Sequence, residues 1–223
     1  MIAHIDRYGL STPAAIAMAG VKGAGDEATA HHRLNALCKR GDLRRAVLDG
    51  VTPAYILSPS ARSRLGRVSP RDEDRGLSLP LKLNLYGMLL FCCAQHVSRH
   101  KLTPTELRQR FSDLHRPGRE HRYYVTRDGP VTRLGFLRID SGGRGRWDRI
   151  VGKFADDLRG HLQIPLVRRL LENNAFEATI VSALPTKAGR IESELSQYQK
   201  VLPIPCHSVA IPQLANVLIS RPA

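Results

Sequence analysis

The spacing of apolar residues near the start of the chain predicts three short helices. Ile2, Ile5 and Leu10 supply the apolar stripe of the first helix. The second helix is predicted over residues 12–19 and begins near Pro13. Proline is favoured in the first turn of a helix, because the backbone N–H that it lacks would have no hydrogen-bond partner within the helix at that position. A glycine-rich break then separates the second helix from the third.

The third helix is predicted over residues 27–40 and has a start signal and a stop signal. Asp26 can cap its first turn, and Gly41 follows it as the residue type that tolerates a left-handed backbone. The apolar side chains fall on one face, which consists of Ala30, Leu34, Leu37 and Cys38. We therefore expect the polar residues of this helix to point away from the core.

A β-hairpin is predicted directly after the third helix. Its strands, residues 43–48 and 55–57, flank an Asp-Gly pair, which is a strong turn signal. Three helices followed by a hairpin are typical of a winged helix-turn-helix domain, which we assign to residues 1–67. Residues 68–76 are polar and charged and are predicted to form a linker.

The pattern changes in residues 77–223, which we assign to a second, α/β domain. Strand-like and helix-like segments follow one another there, which favours a mixed sheet covered by helices and an α+β protein overall. The predicted elements are a helix over 83–100, a capped helix over 104–111, strands at 122–126 and 132–139, helices at 147–161 and 165–173, a strand at 178–182, a helix at 188–199 and a strand at 208–211.

The composition is that of a globular protein without a membrane segment. The 223 residues are 42% hydrophobic and 24% charged, and no apolar run reaches the roughly 18 residues that a membrane-spanning helix needs. The N-terminal residues lack the pattern of a secretory signal, so we expect a cytoplasmic protein whose four cysteines are free thiols.

The net charge points to nucleic acid as the partner. The chain has 34 basic and 20 acidic residues, a formal charge of +14, and residues 99–153 alone contain 14 basic and 6 acidic residues. Such a positive surface attracts the phosphate backbone of DNA, which would associate the protein with the nucleoid. Of the basic residues 27 are arginine, whose planar guanidinium suits phosphates and guanine edges.

The third helix and the hairpin contain the candidate DNA-binding residues. In a winged helix the third helix lies in the major groove, and the hairpin contacts the DNA backbone or the minor groove. The candidates on the helix are Thr29, His32, Arg33, Asn35 and Lys39, and those on the hairpin are Arg44 and Arg45. A winged helix used only as a protein interface is the alternative.

Other chemistry has little support in the sequence. Cys92 or Cys93, His96 and His100 recur at helical spacing, but no CxxC pair occurs and the two cysteines lie in an apolar segment, so we expect no metal site. The glycine-rich segment 141–145 lacks the lysine of a phosphate-binding P-loop, and no GxSxG motif is present. We predict no cofactor.

Two segments resemble known families. Residues 29–45 resemble the recognition helix and first wing strand of bacterial winged-helix regulators. Residues 133–140 and 147–154 are similar to the C-terminal half of replication-relaxation type proteins of plasmids and integrative elements, whose fold resembles the PD-(D/E)xK nucleases. The resemblance implies that residues 77–223 form a nuclease-like domain, which we expect to dimerise or to extend the contact with DNA.

The nuclease motif is altered in this chain. The family holds a metal with an acid on one strand and a carboxylate-x-lysine on the next. Here the corresponding strand ends in Arg138-Ile139-Asp140, with a cation where the carboxylate belongs. We therefore expect a catalytically silent domain in which Arg138 binds a DNA phosphate.

These observations favour a sequence-specific regulator of transcription. We predict a repressor of a mobile or plasmid-like element that binds double-stranded DNA as a homodimer, because one winged helix covers too few base pairs for genomic specificity. One alternative is a Mg²⁺-dependent DNA nuclease or relaxation factor that uses Asp128, Asp140 and Glu120. Another is a replication or partition accessory protein.

Overall fold

The computed structural model of the protein describes residues 1–66, 77–93, 97–116, 120–141, 147–199 and 201–219. Within these ranges the chain forms a mixed α+β fold with ten α-helices, a two-stranded sheet and a five-stranded mixed sheet. The predicted α+β class and mixed sheet are thus confirmed. The predicted linker, residues 68–76, lies outside the described residues.

The first 66 residues contain four helices and one hairpin. They are α1 (Ile2–Tyr8), α2 (Pro13–Met18), α3 (Glu27–Lys39), β1 (Leu43–Val47), β2 (Pro53–Leu57) and α4 (Pro59–Arg64). β1 and β2 pair in antiparallel fashion. The three helices and the hairpin therefore form close to the predicted positions, and α4 is an additional short helix.

The second part of the chain forms the larger sheet. Its elements are α5 (Leu79–Cys93), β3 (Ser98–Lys101), α6 (Pro104–Arg110), β4 (Tyr123–Asp128), β5 (Val131–Ile139), α7 (Trp147–Leu162), α8 (Pro165–Glu172), β6 (Phe176–Ser182), α9 (Pro185–Tyr198), β7 (Cys206–Ala210) and α10 (Leu214–Ile219). The strands lie in chain order. β3, β4 and β5 are antiparallel, whereas β5, β6 and β7 are parallel.

The prediction of one helix over residues 83–100 is wrong at both ends. α5 begins at Leu79 and ends at Cys93, and Ser98–Lys101 is a strand. β3 pairs with β4 along its length, with Ser98 opposite Arg127 and Lys101 opposite Tyr124. The hydrogen bonds of this distant partner determine the strand, and the local pattern of residues does not contain that information.

α5 lies between the two parts of the chain. Nine of its residues are buried, from Leu83 to Cys92, because it packs on the sheet through β5 and on the N-terminal helices α1 and α2. Tyr8, Leu10 and Leu48 belong to the same hydrophobic cluster as α5. This contact explains a helix that is apolar all round.

None of the described helices is both long and apolar enough to span a membrane.

A half-buried ion pair also joins α1 to α6. Arg7 donates from Nη1 to Glu106 Oε2 at 2.7 Å and from Nη2 to Oε1 at 2.8 Å. Glu106 completes a capping box with Thr103, as predicted for this helix start. Burial favours the neutral carboxyl, but the Arg7 guanidinium and the Thr103 backbone N–H prevail and lower the pKa of Glu106 to about 2.

Candidate functional site

α3 is held by a cap at its start and by apolar contacts along one face. The Asp26 carboxylate accepts a hydrogen bond from the Thr29 backbone N–H at 2.7 Å, as predicted. Ala30 and Leu34 are completely buried in the N-terminal cluster. The packing fixes which side of α3 faces solvent.

Four of the five predicted α3 residues are exposed, namely Thr29, His32, Arg33 and Lys39. At about 100° per residue, His32 and Lys39 lie on the side of the helix opposite Ala30. Thr29 lies about 60° from His32, and Arg33 lies at the edge of the exposed side, about 60° from Ala30. These four residues define what we call the α3 face.

Contrary to the prediction, Asn35 does not belong to the α3 face. It is half-buried, and its Oδ1 accepts a hydrogen bond from the Tyr55 hydroxyl at 2.8 Å. Its Nδ2 lies 3.4 Å from His31 Nε2. The helical spacing alone placed Asn35 near solvent, but a neighbouring strand provides a buried tyrosine that engages its side chain. Asn35 therefore attaches α3 to β2.

The two predicted hairpin arginines point to opposite faces, because successive strand residues alternate. In the antiparallel register Arg45 lies opposite Tyr55, whereas Arg44 lies opposite Ile56, which belongs to the hydrophobic cluster that contains α5. Burial raises the pKa of the Cys38 thiol and the Tyr55 hydroxyl, and the nearby Arg45 charge partly opposes both shifts. Only Arg45 therefore lies beside α3.

The tip of the hairpin lies against α5. Leu48 is buried in the cluster that contains α5, and Lys82 of α5 donates from Nζ to the Val47 carbonyl at 2.8 Å. The Asp49 carboxylate accepts from the Val51 backbone N–H at 3.1 Å and from the Thr52 hydroxyl at 2.7 Å. The Lys82 contact and the burial of Leu48 hold this end of the hairpin on α5, and the cation beside α3 is Arg45 of β1.

Sequence reasoning missed two features of the loop before α3. Lys22 is an exposed cation in this loop. The Arg33 guanidinium lies over Gly23, where an added Cβ would be 2.4 Å from Nη1, so a side chain at position 23 would displace it. The glycines of this segment were visible in the sequence, but the arginine packed on them was not.

Arg138, the predicted phosphate contact in the second part, is already paired. Its guanidinium forms an ion pair with Asp157 of α7, whose Oδ2 also lies 3.3 Å from Arg122 Nη1. Arg138 also lines a cavity of about 340 Å³ at the carboxyl end of β5. The other lining residues are Ile139, Asp140, Ser141, Arg149, Ile150 and Lys153, and we call this space the β5 cavity.

Asp128 and Asp140, the two carboxylates of the nuclease alternative whose side chains the structure describes, do not come together. Asp140 lies after the end of β5 and forms an ion pair with Lys187 Nζ at 2.6 Å, with side chains only 5% and 7% exposed. Asp128 lies at the turn before β5, about 30 Å away along the strand. The side chain of Glu120 lies outside the described part of the chain.

The cysteines and histidines near the end of α5 do not form a metal site in the described residues. Burial strongly raises the pKa of Cys92 and raises that of Cys93 to about 11, which disfavours the thiolates that bind metals. His100 lies on β3, and His96 lies outside the described residues. No group of three possible ligands occurs within the described ranges.

Comparisons of the chain with models of known protein families, with curated proteins and with solved structures found no match. The functional interpretation therefore depends on the geometry of the α3 face and the β5 cavity.

Proposed function

We propose that the protein binds double-stranded DNA in a sequence-specific manner and regulates transcription. In this proposal α1, α2 and α3 with the β1–β2 hairpin act as a winged helix, and α3 enters the major groove. The observation that supports it best is the α3 face: four exposed polar or basic side chains on a helix whose opposite side is buried.

The chemistry of the α3 face suits DNA. His32 and Thr29 have hydrogen-bonding groups that can reach base edges, and Lys39 can contact a guanine or a phosphate. Arg33 belongs to the face on the side of the loop before α3, and Arg45 flanks it on the hairpin side. Flanking cations of this kind position a helix on the DNA backbone.

We further propose that regulation is repression of genes of a mobile or plasmid-like element. A basic protein can block a promoter by occupying it, and this requires no activation surface. The assignment to a mobile element rests on the resemblance of residues 133–140 and 147–154 to replication-relaxation type proteins. A homodimer on a two-fold operator would supply the footprint that one winged helix lacks.

Selection of bound duplexes from a random pool, followed by fluorescence anisotropy, tests the proposal. We expect His32→Ala to weaken binding to the selected sequence by about 1–3 kcal/mol and to leave binding to a scrambled duplex nearly unchanged. Arg168→Gln serves as the control, because it removes one exposed positive charge on α8, outside the α3 face.

Two results would contradict base recognition by α3. One is that the pool yields no enriched sequence, and the other is that His32→Ala weakens both duplexes equally.

A test with supercoiled plasmid and Mg²⁺ or Mn²⁺ addresses the nuclease alternative, and we expect no cleavage because Asp140 is paired with Lys187 and lies far from Asp128.

The dimer is tested by light scattering of the full chain with and without the selected duplex. α5 is buried between the two parts of the chain, so it is not available as a dimer surface. A fragment that begins at residue 77 would expose the face of α5 that packs on α1, and its association would be uninformative. A 1:1 complex of monomer and duplex at micromolar concentration would rule out the dimer.

A further inference from the structure

The β5 cavity combines three cationic side chains from two elements. Arg149 and Lys153 are four residues apart on α7, so both lie on the same side of that helix. Arg138 reaches the cavity from β5. In α/β sheets, ligands commonly bind beyond the carboxyl ends of the parallel strands, and β5 pairs in parallel with β6 at this end.

The cations differ in how they are held. Arg138 is 20% exposed and is oriented by Asp157. Arg149 and Lys153 are exposed, and neither has an ion pair with another residue in the described ranges. The cavity therefore has one fixed guanidinium and two cations available to a ligand.

The carboxylate that lines the cavity does not cancel this charge. Asp140 is neutralised by Lys187 and also accepts a hydrogen bond from the Ser182 hydroxyl at 3.3 Å. The carboxylate of Asp157 faces both Arg138 and Arg122. Asp140 and Asp157 thus face basic partners of their own, whereas Arg149 and Lys153 have no ion pair within the described residues.

We infer that the β5 cavity binds the phosphate group of a small ligand of mononucleotide size. Guanidinium and ammonium groups are the side chains that bind phosphate best. A volume of about 340 Å³ lies within the range of small-molecule sites and exceeds what a single phosphate ion requires. The same chemistry could accept a phosphate of the DNA backbone, so the test includes both sources.

The only tryptophan of the chain provides a local reporter. Trp147 is half-buried in the first turn of α7, two residues before Arg149. Its fluorescence is followed in titrations with inorganic phosphate, with 5′-AMP and with a scrambled 20-base-pair duplex, all at constant ionic strength. Isothermal titration calorimetry with the same probes detects binding that leaves the fluorescence unchanged.

We expect 5′-AMP to give a saturable signal in the full-length protein. The double variant Arg149→Gln/Lys153→Gln should bind it at least tenfold more weakly, whereas Arg168→Gln, which removes a charge outside the cavity, should bind it normally. A signal with the duplex alone, lost in the double variant, would support the phosphate site and assign its ligand to DNA.

Two outcomes would overturn the inference. One is the absence of saturable binding of any probe by either method, and the other is equal binding by the wild type and the double variant. His32→Ala keeps the cavity intact and should bind 5′-AMP normally, so failure of the cavity and failure of DNA recognition by α3 are separate results.

Discussion

At the scale of single residues, the Tyr55 hydroxyl determines what Asn35 can do. Tyr55 is fully buried, and its hydroxyl donates to Asn35 Oδ1 at the contact between β2 and α3. A side chain engaged in this way is held against β2 and is not free to turn towards a base. Asn35 therefore serves to orient α3, whereas the DNA contacts that we propose come from the α3 face.

A double-mutant cycle tests this role of Asn35. Tyr55→Phe and Asn35→Ala should each lower the free energy of unfolding by about 1 kcal/mol, and the double variant should cost little more, because both remove the same hydrogen bond. Urea denaturation measures these values. If Asn35→Ala abolishes specific DNA binding while Tyr55→Phe leaves it intact, Asn35 contacts a base directly.

The two hairpin arginines should differ in their effect on DNA binding. Arg45 lies beside α3, so Arg45→Gln should weaken binding to all sequences and reduce the slope of log K against log salt by about 1. Arg44 lies on the opposite face of the strand, and Arg44→Gln should leave that slope unchanged. Titrations at four salt concentrations decide, and equal slopes for the two variants would contradict the assignment.

At the scale of elements, local signals and distant partners explain what could be predicted. α3 has its cap, its apolar face and its terminating glycine within 16 residues, so the sequence predicts it closely. β3 depends on β4, more than 20 residues later, and was mistaken for helix. The same limit applies to the site: exposure of His32 follows from helical spacing, but the Tyr55–Asn35 hydrogen bond requires the fold.

The approach of α5 to β5 gives a prediction at this scale. A Cβ at Gly87 would lie 2.7 Å from Ile139 Cδ1 and 3.1 Å from Cγ1, so Gly87→Ala should destabilise the protein by about 1 kcal/mol, because overpacking outweighs the gain in helix propensity. The matched control is Gly152→Ala in α7, where an added Cβ would meet no atom of another element within 4 Å among the described residues, and better helix propensity should stabilise by up to about 1 kcal/mol. Denaturant unfolding compares the two, and stabilisation by both would show that α5 has room to move.

At the scale of the whole molecule, the N-terminal elements are held on the sheet domain by contacts of two kinds. The hydrophobic cluster joins Tyr8, Leu10 and Leu48 to α5, and the Arg7–Glu106 pair adds a charged link from α1 to α6. The sequence contained each partner but no sign of the pairing, because the residues lie 99 positions apart. The orientation of α3 relative to the sheet depends on these contacts.

The Arg7–Glu106 pair should make stability depend on acid pH. Because the folded-state pKa of Glu106 is lowered from 4.5 to about 2, its contribution is complete above pH 4.5 and is lost as the pH falls towards 2. Both side chains are about 30% exposed, so we expect a contribution of only about 1 kcal/mol. Glu106→Gln removes the charge and can retain the helix cap.

Urea denaturation of the wild type and Glu106→Gln between pH 7 and pH 2 measures this contribution as a difference. The wild type should be more stable at pH 7, and the difference should vanish near pH 2. His4 also lies near Arg7, and burial, the N-terminal amine and Arg7 lower the pKa of its imidazole to about 4. Protonation of His4 therefore destabilises the fold mainly between pH 6.5 and 4, and it does so equally in both proteins. A difference that stays constant down to pH 2 would show that Glu106 acts through its shape and not through its charge.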